Sequence, residues 1–182
     1  MKQEIQKALS ISGGAAPQPA PAVTTVAHLY KRFCMELNNT TVKDPLGRAI
    51  HFRLDQFPYL IKLEHEDKDS GEWKAAKARV VLSALEDGTF DANSHRFDTS
   101  RAKDLFRIPE ILRCPNAIHQ NIHARVRSDE VYVIRPYGRK DPIKVVLVVA
   151  NREGEIVPIT SFWTKEKWLR TCAKQPPLWE KK

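Results

Sequence analysis

Residues 130–163 read EVYVIRPYGRKDPIKVVLVVANREGEIVPITSFW, and their periodicity decides the architecture. Residues 131–135, 144–150 and 156–163 are rich in Val, Ile, Tyr, Phe, Trp and Thr, which suit a pleated, half-buried surface. Pro136-Tyr137-Gly138 separates the first two runs, and Asn151-Arg152-Glu153-Gly154 separates the second pair. Turn residues at those places predict three sequential antiparallel strands. Pro158 cannot donate to a ladder, so the third strand is expected to carry an edge or a bulge there.

Toward the N terminus the period lengthens to that of helices. Thr24 and Thr25 can cap a helix reaching about Leu37, with Val26, Leu29, Tyr30, Phe33 and Cys34 near one face. Residues 49–53 alternate Ile50 and Phe52 with His51 and Arg53, which predicts a short strand. Further helical patterns cover 57–63, 74–87, 100–106, 108–113 and 165–171, while 64–72 and 90–100 read as polar loops. The pattern of 116–123 decides nothing, and Leu178-Trp179 is expected to pin the tail. Helices followed by an antiparallel meander predict one α+β domain over residues 24–182, its N-terminal helices packed on a C-terminal antiparallel sheet. Residues 1–23 contain SISGGAAPQPAPAV and read as a flexible tail with a Pro-rich linker.

The chain carries a net charge of +8, and all of it falls in one part. Residues 101–182 hold 17 Lys and Arg against 9 Asp and Glu, whereas residues 1–100 hold 13 of each sign. Such a cluster repels itself, so a polyanion is the expected partner. No apolar run approaches the length of a membrane span, and the MKQEIQKAL start has no apolar signal core, so a cytoplasmic protein is expected. Cys34, Cys114 and Cys172 are odd in number and widely spaced, and are expected to be reduced, buried thiols. The phosphate-cradling and dinucleotide-binding glycine motifs are absent from the sequence.

Metal-free cleavage of RNA needs a base for the 2′-OH, an acid for the 5′ oxygen, a cation for the phosphorane and a surface for the bases. Arg135 at a strand end, Lys144 beside it, and Thr160 and Ser161 on the next strand are the candidate cation and hydroxyl groups. Among the histidines, His51, His95, His119 and His123 are the candidate acid and base. Tyr132, Trp163, Arg125, Arg127 and Lys165 are the candidate nucleic-acid contacts. His119 and His123 have the HxxxH spacing of a zinc-binding helix, but Gln120 stands where such sites carry a general-base Glu. No CxxC or aspartate cluster supplies further ligands, so no metal and no cofactor are expected.

Gly47-Arg48-Ala49-Ile50-His51-Phe52 followed by Phe57-Pro58-Tyr59-Leu60-Ile61 resembles the opening strand and helix of the phage-associated BECR-type nucleases, the barnase, EndoU, colicin and RelE-like superfamily. Residues 106–112 with Pro115-Asn116 resemble the helix before the family's sheet, and 131–133, 144–149 and 159–163 resemble its closing strands. The resemblance implies a metal-independent endoribonuclease acting by 2′-OH attack, used as a toxin or a phage or antiviral defence effector against RNA, tRNA included. It places Arg135, Lys144 and Thr160 or Ser161 at the cleavage site. Pro58-Tyr59 stands where many such sequences carry a His, so the base would come from His51, His95 or His119. An acidic antitoxin, immunity or regulatory protein would then cover the basic cleft, with no membrane involved. The alternatives are a non-catalytic nucleic-acid-binding module and a phage-derived adaptor docking through residues 1–9.

Overall fold

The computed structural model describes residues 25–122, 129–135, 142–150 and 153–182. The expected N-terminal tail therefore lies outside the described residues. The chain forms α1 (Val26–Glu36), β1 (Thr41–Lys43), β2 (Ala49–His51), α2 (Phe57–Leu60), β3 (Glu64–Glu66), β4 (Trp73–Ala75), α3 (Ala78–Glu86) and β5 (His95–Arg96). It continues through α4 (Thr99–Asp104), α5 (Ile108–Arg113), β6 (Ala117–Gln120), β7 (Glu130–Ile134), β8 (Ile143–Ala150), β9 (Ile156–Thr164), α6 (Glu166–Cys172) and β10 (Trp179–Glu180). The fold is α+β. A seven-stranded sheet runs β1-β2-β9-β8-β7-β6-β10, and a three-stranded sheet runs β4-β3-β5.

β6 to β9 form the antiparallel meander that the sequence predicts, with one strand more than expected. The register shifts between Leu147 and Val148, opposite Pro158, where proline's missing donor interrupts the ladder. The sheet is not purely antiparallel, because β2 joins β9 in parallel through Ile50 and Ile156. Three local expectations are corrected. Residues 73–75 belong to β4 and not to the helix predicted over 74–87, since pairing with β3 outweighs the helix preference of an Ala-rich run. The stretch 64–66, expected as loop, supplies β3, and residues 95–96, also expected as loop, pair with it as β5. Cys114 is exposed and Cys34 partly so, hence neither is the buried thiol expected.

Strand alternation divides the side chains of the sheet between two cores. On the inner face Ile50, Ile118, Tyr132, Val146 and Val148 pack with Leu29 and Phe33 of α1, Phe57 and Leu60 of α2, and Ile108, Ile111 and Leu112 of α5. On the outer face Val131, Val133, Val145 and Leu147 pack with Leu169 of α6. Trp168 stands edge-on to Phe162, with ring centroids 5.1 Å apart at 88°.

The sheet is curled, and a polar cluster shows how tightly. Glu130 and Tyr132 of β7 lie three strands from β2, about 14 Å along a flat sheet. Yet Arg48, in the β1–β2 turn, places its Nη2 2.7 Å from Glu130 Oε2, 2.8 Å from the Tyr132 hydroxyl and 2.8 Å from Asp44 Oδ2. The Tyr132 hydroxyl donates to Asp44 Oδ2 at 2.7 Å, and Asp44 Oδ1 accepts the backbone N–H groups of Leu46 and Arg48 at 3.0 and 2.8 Å. Burial alone would raise the Asp44 carboxyl, but the Tyr132 hydroxyl, the Arg48 backbone and the Arg48 guanidinium outweigh it and hold it below its ordinary value. Gly47 at φ 79° supplies the left-handed residue of this turn.

Replacing Arg48 by Ala leaves a fully enclosed Asp44 carboxylate without its cation. The Arg48 side chain is itself 29% exposed, so the expected loss is near the lower end of a broken buried pair, about 3 kcal/mol, read from urea unfolding. Arg48→Lys restores little of it, because an ammonium cannot fork between the two strands.

Candidate nucleic-acid interface

The register settles which candidate residues meet. His119 opposes Val131, Val131 opposes Leu147, and Leu147 opposes Thr160, so all four project from the outer face. Arg135 follows Ile134, whose side chain packs in the inner core, and so alternation aims it outward as well. Lys144 opposes Ile134 and Trp163, and Ser161 opposes Val146, which places Lys144, Trp163 and Ser161 on the inner face with Tyr132. The expected cluster of Arg135, Lys144 and a hydroxyl around one phosphodiester is therefore split by the sheet. His119 and Thr160 share a face but lie three strand spacings apart, about 14 Å.

The inner-face candidates are committed to holding the fold. Lys144 is 1% exposed, and its Nζ donates to Asp104 Oδ2 of α4 at 3.0 Å. Trp163 Nε1 donates to the same oxygen at 2.7 Å, and its indole is tied there instead of offering a stacking ring. Burial lowers the Lys144 ammonium more than its pairing with Asp104 raises it. Tyr132 is enclosed and its hydroxyl is spent on Asp44, so it is no nucleic-acid contact. Ser161 is 0% exposed, and its Oγ is buried without a partner, closed off from any phosphate. The remaining imidazoles are dispersed. His51 lies on β2, its Nδ1 3.2 Å from Thr41 Oγ1, and His95 lies on the small sheet against Phe90, with its Nδ1 2.8 Å from the Asp91 carbonyl oxygen. His123, Arg125 and Arg127 lie outside the described residues.

The outer face carries a further set of polar groups. Arg135 Nη2 donates to Glu166 Oε1 of α6 at 3.1 Å, and its backbone N–H donates to Asn116 Oδ1 at 2.5 Å. Both ring nitrogens of His119 are buried without a hydrogen-bond partner; the Gln175 backbone lies near the ring without bonding geometry. α6 turns Trp168 and Leu169 inward, which leaves Lys167 and Arg170 exposed, with Lys165 before it and Lys174 after it exposed as well. Among the described residues these four cations have no ion pair, in contrast to Arg32, Arg48, Arg53 and Arg96 earlier in the chain. Lys165, an expected nucleic-acid contact, is exposed at the start of α6. Sequence reasoning missed Lys167, Arg170 and Lys174, although their spacing on a helix around Trp168 and Leu169 carried the signal.

Arg101, also missed, reaches from α4 to the outer face. Its Nη1 donates to Thr160 Oγ1 at 2.5 Å, its guanidinium lies 5.4 Å from the Phe162 ring centre, and its Nε is 3.5 Å from Asp98 Oδ2. β2 pairs with β9 only at Ile156, so the C-terminal part of β9 has no strand on the side away from β8, and α2 and α4 pack against β9. Among the described residues no group of three His, Cys, Asp or Glu side chains is placed to hold a metal ion, and no helix is long and apolar enough to cross a membrane.

Burial, and secondarily the Arg135 guanidinium, hold the His119 imidazole below its ordinary value, outweighing Glu180 and Glu166. The unfolded chain thus takes up the proton first as pH falls below about 6.5, so stability at this residue is lost on acidification through that range. The urea midpoint of the wild type is expected to fall between about pH 7.5 and about pH 5.5, and His119→Asn to flatten that slope; parallel slopes would contradict the assignment.

Comparison with family models, with curated proteins and with solved structures finds no match to this chain.

Proposed function

We propose that this protein binds RNA through the outer face of its curled sheet and the exposed side of α6. The observation that carries the reading is the set of cations Lys165, Lys167, Arg170 and Lys174, without ion pairs among the described residues, on and flanking the helix α6 that packs on that face. Phosphates neutralised there would release counterions, which makes binding strong at low salt and steeply salt-dependent. Helices α4 and α5 leading into the β6-β7-β8-β9 meander support a BECR-like assignment of the fold. An acidic protein covering α6 is the partner such a surface would take.

Titration of a labelled single-stranded RNA at several salt concentrations tests this reading. Changing Lys165, Lys167, Arg170 and Lys174 together to Gln is expected to weaken binding and to lower the salt slope by about 0.7 for each phosphate that is no longer neutralised. A wild-type protein that fails to bind RNA at low salt would sink it.

A second reading, metal-independent endoribonuclease, is favoured by one observation. His119 lies on the same face as Arg135 and feels its charge, and because both ring nitrogens are buried beside the Gln175 backbone, this reading requires the chain over the ring to move aside for RNA. A base and a phosphate-holding cation are the two groups that 2′-OH attack needs first. Incubation of RNA with the protein in EDTA is expected to leave cyclic phosphate ends, absent with His119→Ala and with Arg135→Ala. RNA that stays intact with active, RNA-binding protein would remove this second reading and leave the first.

A further inference from the structure

Beyond the part that α6 covers, the outer face opens into a cavity of about 770 Å³ between α2, β3 and the β8–β9 strands. Its floor is apolar, made by Val149 and Ile159, and its wall is Pro58 with the Tyr59 ring. Tyr59 is 47% exposed, a large aromatic side chain left at the mouth of an apolar hollow. The polar groups on the rim are few: the Thr160 hydroxyl, the Lys62 ammonium and the Glu64 carboxylate. A volume in the range of small-molecule sites, apolar and aromatic walls, and a few fixed polar groups are the features of a ligand pocket.

The backbone supports the same conclusion. Lys62 follows the last turn of α2 with φ 51°, a left-handed conformation that glycine adopts without cost and a lysine does not. Glycine would cost less at this helix end, so the lysine carries local backbone strain beside the cavity. Glu64 receives the Arg96 Nε–H at 2.7 Å and lies 3.6 Å from Lys62 Nζ, so its orientation is fixed while it keeps acceptor capacity. Arg101 stands between cavity and α6, bonded to Thr160 and lying over Phe162. Thr160 is two residues from Phe162, about 7 Å of strand.

Resting on the RNA-binding reading above, we infer that this cavity takes one unstacked nucleobase of a single-stranded RNA, the ring lying against Tyr59 with its phosphate at Lys62. Single-stranded nucleic acid is bound in this way, with a cationic track for the backbone and aromatic rings for the bases. The half-exposed Lys62 ammonium, only loosely held by Glu64 at 3.6 Å, is the cation that favours a nucleotide over a neutral apolar ligand, while Arg101 is already held by Asp98 and Thr160. The Glu64 carboxylate faces an exocyclic amino group, which makes cytosine a better occupant than uracil.

Fluorescence anisotropy with a short oligocytidylate, an oligouridylate and an RNA duplex, each at one salt concentration, tests the inference. Tyr59→Ala is expected to weaken oligocytidylate binding about tenfold and leave duplex binding unchanged, while Tyr59→Phe keeps wild-type affinity. Lys62→Gly is expected to raise the unfolding midpoint and yet weaken single-strand binding, a combination that a purely structural lysine would not produce. Tyr59→Ala with wild-type affinity for oligocytidylate, or with equal losses on single strand and duplex, would overturn the inference and leave RNA binding standing. Wild-type protein that binds none of the three probes would overturn the RNA-binding reading, and this inference with it.

Discussion

The Arg48 guanidinium joins groups that sheet order alone would keep far apart. It ties the turn between β1 and β2 to β7, so that a seven-stranded sheet closes around its inner core. Tyr132 is the other half of the closure, because its ring fills that core while its hydroxyl reaches Asp44. Each polar group in the cluster has several partners, which is the condition under which buried charge is tolerated. The outer face follows from this curl, since it turns one side of the meander away from α1 and α5.

Closing the inner face restricts where chemistry can occur. A lysine sealed against a carboxylate and an indole N–H, as Lys144 is against Asp104 and Trp163, has no capacity left for a phosphate. The outer face is covered less completely. One seven-residue helix shields its centre, and the cations of that helix point to solvent. Placing unpaired positive charge on the less covered face keeps it hydrated.

Much of this was legible in the sequence. The three strands of residues 130–163, the bulge imposed by Pro158, the helix capped by Thr25 and the pinned tail at Trp179 all follow from period and turn chemistry. Those signals are local, lying within a few residues of the feature they specify. The strands at 41–43, 64–66, 73–75 and 117–120 are not legible in the sequence, because each is only three or four residues long, too short to show a period of its own, and gains its stability from pairing. The same limitation dissolved the expected catalytic cluster. Arg135 and Lys144 are close in sequence and end on opposite faces of paired strands, whereas Arg101 meets Thr160 from 59 positions away.

The sequence by itself determined the class of fold, the location of the net positive charge and the side-chain types available to meet an anion. Tertiary structure decided which of those side chains remain free. Hydrophobicity and charge are properties of residues and can be counted, but pairing is a property of positions in space. Whether a lysine is spent on an aspartate or left for a phosphate depends on register and on the curl of the sheet.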